Sequence, residues 1–154
     1  MVYNTISIIH RTLPCGRKSG IQKMSFTIDL LTGEPILLEA LNPDYRYDLE
    51  VATTVNHTLM ALEYQHSPVF FIMDLAEANL STDELTAGVD AVSRQAMLFQ
   101  HPYVREVIFV SKDQPVDFSA WRLNSPVFEH IDFTIFGTRE DALAYAREKI
   151  RNES

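Results

Sequence analysis

Few residues in this chain have the type and setting to do chemistry. The stretch "VFFIMDLAEANLSTDEL", Val69 to Leu85, holds most of them. Asp74 stands where a continuous apolar run ends. In open parallel α/β sheets, ligands and switches gather at the carboxyl ends of strands. Asp74 therefore reads either as part of a recognition surface or as a cap on the loop that follows. Ser81-Thr82-Asp83-Glu84 fits S-x-x-E, the capping box. Ser81 can accept from the third helical N–H while Glu84 reaches back. A phosphate on Ser81 or Thr82 would suit a helix N-terminus, although Asp83 and Glu84 would repel it. Phe118 and Trp121, with nearby Val116, either seat a short segment on the core or wall an apolar ligand pocket.

Other chemistries lack their residues. Five glycines are scattered, and no glycine-rich phosphate loop, GxSxG elbow or HExxH pair occurs. The histidines, His10, His57, His66, His101 and His130, show no metal-ligand spacing. His57 and His66 stand nine residues apart, too far to share a metal on one helix face. No nucleophile–base constellation is visible. The expectation is a non-enzymatic chain with no cofactor and no metal.

Composition narrows the partners. The 154 residues carry a net charge of −8, which disfavours nucleic acid as the main partner. Cys15 is the sole cysteine, which excludes an internal disulfide framework and fits a reducing compartment. No apolar run approaches the roughly 20 residues of a membrane helix. The opening residues lack a signal-peptide pattern. A cytoplasmic location is expected. Charge is uneven: Arg11, Arg17, Lys18 and Lys23 precede the first acid, Asp29. Residues 1–23 read as an N-terminal arm or edge extension, weakly ordered, and residues 24–154 as one domain.

The elements that would position these residues follow from periodicity. Phe26, Ile28 and Leu30 alternate with Ser25, Thr27 and Asp29, giving a half-buried strand. Thr32 to Pro35 form a turn into "ILLEAL", completing a hairpin. Leu49, Ala52, Val55, Leu59 and Leu62 mark one face of a helix entered at Asn42-Pro43. "VFFIM" reads as a strand buried on both faces. Leu85, Val89, Val92, Ala96 and Phe99 predict a second helix, and "VIFV" a further strand. "DQPVDFSAWRL" reads as a short helix, "FTIF" as the last strand and "TREDALAYAREKI" as a closing helix capped by Thr138. The order β-β-α-β-α-β-α-β-α predicts an α/β fold, a mixed, largely parallel sheet with helices packed against it.

From Ser25 to Ile150 the chain resembles a STAS-like domain, the sulfate-transporter and anti-sigma-factor-antagonist fold. The resemblance rests on the element order, on "FFIMDL" followed by a helix opening at Ser81, and on "IDFTIFGTREDALAYAREKI". It implies no enzyme activity and work by docking onto a protein partner or a second copy. It also implies a phosphorylated serine at the helix after the "DL" strand. The family's regulatory motif, Asp-Ser-Ser-Gly, is replaced here by Leu80-Ser81-Thr82-Asp83. The chain thus looks closer to a divergent branch lacking the phosphoswitch. The expected function is a regulatory or protein-interaction domain using Asp74, Ser81, Thr82 and Glu84. The alternative is a carrier of a small apolar molecule or lipid, held between the sheet and Phe118–Trp121.

Overall fold

The computed structural model describes residues 6–7, 25–78, 96–112 and 133–153. Among the described residues, six strands form one sheet in sequence order: β1 (Ile6–Ser7), β2 (Phe26–Leu30), β3 (Ile36–Leu41), β4 (Val69–Asp74), β5 (Val104–Val110) and β6 (Phe133–Phe136). β1, β2 and β3 pair antiparallel; β3 to β6 pair parallel. Two helices are described in full, α1 (Tyr47–Gln65) and α2 (Arg139–Glu153). The protein is therefore an α/β fold with a mixed, mostly parallel sheet.

The β2–β3 hairpin turns at Gly33, whose φ of 75° a glycine adopts without a Cβ penalty. The Leu31 N–H donates to the Ile36 carbonyl at 3.0 Å and closes the loop. β3 and β4 are buried along their whole length, as a central parallel strand with both faces covered requires. Alternation then sorts their side chains. Leu37, Leu41, Phe71 and Met73 face α1, Val51, Val55 and Leu62. Ile36, Leu38, Phe70 and Ile72 face α2, Ala142 and Ala146.

Residues 96–99 are helical, and Ala96, Leu98 and Phe99 pack on the α1 side. Sequential parallel strands joined by right-handed crossovers carry their connecting helices on one face, which accounts for this. α2 follows the last strand, makes no crossover, and covers the other face. Thr138 caps it as the sequence suggests, its hydroxyl accepting from the Asp141 N–H at 3.2 Å.

Two local expectations need correction. α1 begins at Tyr47, not at Asn42-Pro43. Those residues form a turn instead, with the Tyr45 N–H donating to the Asn42 carbonyl. Proline suits the second position of such a turn. The α1 face is also rotated. Leu49 points to solvent, 65% exposed, whereas Thr54 and Thr58 are buried. Their hydroxyls bond back to the carbonyls of Glu50 and Thr54, which lets a threonine turn inward on a helix. On α2, Ala142 and Ala146 make the close contact with the sheet, and Leu143 and Ile150 are partly buried. The first part of the second expected helix and the "DQPVDFSAWRL" segment lie outside the described residues.

Candidate functional site

Asp74 is the sequence-derived site residue that the structure describes. It ends β4 with its side chain 6% exposed, on the face covered by α2. Its Oδ1 accepts the Ala76 N–H at 2.9 Å, an Asx-type turn that starts the loop. Its Oδ2 accepts from Arg139 Nε at 2.7 Å. Both oxygens are thus engaged within the fold. At the rim beyond, Lys112 and Glu77 form an exposed pair at 2.7 Å, and the lysine holds the Glu77 carboxyl below its usual range. Ser81, Thr82, Glu84, Phe118 and Trp121 lie outside the described residues.

Arg139 is one of several polar ties along α2. Arg147 grips Glu34 with two hydrogen bonds, at 2.7 and 3.0 Å. Tyr145 donates to Glu106 at 2.6 Å, and Glu153 pairs with Arg105. The Arg147–Glu34 pair also lines a cleft of about 540 Å³ between the β2–β3 turn and α2, floored by Pro35, Leu143 and Ile150. Glu34 answers Arg147 in that cleft, so its charge is balanced internally.

The side of the sheet under α1 holds polar groups that the sequence reading passed over. Glu39 sits in the middle of β3, 2% exposed, on the face shared with Leu37 and Leu41. Its Oε2 lies 2.6 Å from the Thr58 hydroxyl, which lies 3.0 Å from the Thr54 carbonyl. Thr54 Oγ1 is 2.9 Å from the Tyr45 hydroxyl. Burial pushes the Glu39 carboxyl up from 4.5 to about 7, against the opposing Thr58 hydrogen bond. Burial also pushes the Tyr45 and Tyr47 hydroxyls upward, and the nearby Glu39 adds to both. The available signal was one acid inside "ILLEAL" and two threonines four apart in the following helix. Ser25 and the Arg46 N–H both bind Glu50, which fixes the start of α1 over this network.

The outer face of α1 is different. Leu49, Met60 and Tyr64 are 60–73% exposed. They stand eleven and four residues apart, which places them within about 60° of one another on a 3.6-residue helix. That stripe lies opposite the buried face of Val51, Thr54, Val55, Thr58, Ala61 and Leu62. Met97, 68% exposed, belongs to the helical residues 96–99, packed on the same side of the sheet.

Among the described residues, no cluster of histidine, cysteine or carboxylate side chains could hold a metal ion, and no helix is long and apolar enough to cross a membrane. Comparison with protein-family models, with curated proteins and with solved structures finds no match.

Proposed function

We propose that this protein is a non-enzymatic interaction domain of STAS-like type, which docks on a protein partner or a second copy. The observation that carries this reading is the stripe of Leu49, Met60 and Tyr64 on α1, with Met97 also exposed on a segment packed on the same side of the sheet. Single exposed apolar residues are ordinary on protein surfaces. Three in line on the side of a helix facing away from its own core are what an interface of this kind supplies. Methionine and tyrosine are also enriched at the centres of interfaces.

This reading moves the docking surface from the one expected around Asp74. Asp74 spends both carboxylate oxygens on Ala76 and Arg139, so it supports the loop rather than offering itself to a partner. Among the described residues, the α1 stripe has no such internal use.

A photo-crosslinking side chain at Asn56, exposed between Leu49 and Met60, tests the proposal. The expected product is a cross-link to a protein, a second copy or a partner, in cells that make the chain natively. The same group at exposed Glu148 on α2 is the control. Equal yield at the two positions would refute the assignment of α1.

A further inference from the structure

The hydroxyl of Thr58 lies within hydrogen-bond distance of two oxygens, Glu39 Oε2 at 2.6 Å and the Thr54 carbonyl at 3.0 Å. A hydroxyl has one proton to give. The carbonyl can only accept. An ionised Glu39 can also only accept, so one of the two contacts would then face two lone pairs. A proton on Glu39 Oε2 removes the conflict. The acid then donates to Thr58, and Thr58 donates to the Thr54 carbonyl. The neighbouring turn has the same pattern: Thr54 donates to the Glu50 carbonyl at 2.9 Å, which leaves the Tyr45 hydroxyl to donate to Thr54.

The surroundings agree. Glu39 is flanked on the sheet by Ile28 of β2 and Met73 of β4. Among the described residues, Tyr45 and Tyr47 lie near enough to interact with it, and the other titratable groups on the α1 side are Glu50, tied to Ser25, and His57, next to Thr58 with its ring on Phe26. Residues 96–99 bring only Ala96, Leu98 and Phe99 to this side of the core. Among the described residues, Glu39 forms no ion pair with a lysine or arginine. Among the described residues a bare carboxylate in such a place has one donor and no counter-charge, whereas a neutral acid carries no charge to desolvate and gives its proton to Thr58.

We propose that Glu39 is a buried neutral acid that donates to Thr58, and that its loss of the proton loosens α1 from the sheet, so that α1 docking is a pH-sensitive device built into the fold. Thr58 is the contact through which the charge state reaches α1. The inference stands independently of what binds the outer face of that helix.

The direction with pH follows from linkage. Burial raises the folded-state carboxyl to about 7, while the unfolded chain releases the same proton near 4.5. Between these values the folded state holds one proton more. Stability from this group is whole below about 4.5, falls as pH rises, and is gone above about 7.

Denaturant unfolding of the full chain and of Glu39→Gln, from below pH 4.5 to pH 8, tests the inference. Glutamine keeps the shape and a donor but has no proton to lose. The ratio of the two unfolding constants should change by about tenfold per pH unit across the window and be flat above it. Parallel profiles would overturn the proposal. If Glu39→Gln does not fold, carboxyl-carbon NMR of the wild type with labelled glutamate decides the point. One glutamate titrating near neutrality supports the neutral acid; all titrating in the ordinary range contradicts it. For the device itself, amide exchange in α1 should rise relative to β4 as pH passes neutrality. A rise of equal size in a folded Glu39→Gln chain, or none in the wild type, would overturn the coupling.

Discussion

At the scale of single residues, the polar groups that matter most are those the fold has enclosed. Thr58 accepts or donates at the only described polar contact of Glu39. Thr58→Val keeps the volume and removes the oxygen. The expected cost is about 1–3 kcal/mol, the penalty for leaving a buried polar group without its partner. Urea unfolding measures it, and Thr58→Ser, which keeps the hydroxyl, should lose less. Asp74 has two distinct contacts, and substitution can separate them. Asp74→Asn retains an acceptor for the Ala76 N–H and weakens the bond to Arg139, so a loss of roughly 1 kcal/mol is expected. Asp74→Ala removes both and should cost more. Partner binding should survive Asp74→Asn, because this carboxylate serves the loop.

Elements show what the sequence could and could not reveal. The strands from β2 to β6 were legible because their signals are local, whereas the two residues of β1, inside the stretch read as an arm or edge extension, carry no such pattern. Phe26–Leu30 alternates, and Val69–Met73 is continuously apolar, so each pattern reports its own burial. The closing helix was legible for the same reason, with Thr138 in a capping position and acids in the first turn. The inner face of α1 was not, because it contains Thr54 and Thr58, which count as polar in any periodicity. Beyond the local bonds to carbonyls one turn back, it is the distant Glu39 and Tyr45 that give these hydroxyls buried partners, and that pairing spans strand, loop and helix. Asp74 was legible as the end of a strand, but Arg139, 65 residues away, was not visible as its partner.

The same distinction governs α2. Its apolar contact is shallow, with two fully buried alanines, and much of its attachment is polar, through Arg139, Tyr145, Arg147 and Glu153. Leu143 is half-buried, so Leu143→Ala should cost about 1–2 kcal/mol, less than the 2–5 expected of a fully buried leucine. Chemical unfolding checks the value; a loss above about 3 kcal/mol would mean that α2 packs more deeply. At the opposite sheet edge, β1 contributes two residues against β2. Removing residues 1–23 deletes that pairing, and the melting temperature should fall by less than about 5 °C, on the order of 1 kcal/mol.

For the molecule as a whole, the sheet gives its two faces different roles. One is closed by a helix held through charged and hydroxyl contacts at several points along its length. The other is closed by α1, which covers a titratable acid on its inner side and presents Leu49, Met60 and Tyr64 on its outer side. Association should run through that outer side, and native mass spectrometry of gently purified chain reads it out. The expected result is a dimer or a protein complex that is lost in the Met60→Lys/Tyr64→Lys variant, whose stability stays within about 0.5 kcal/mol of the wild type because both positions are exposed. A monomer retaining a small apolar molecule, unchanged by that substitution, would contradict it and identify a carrier instead.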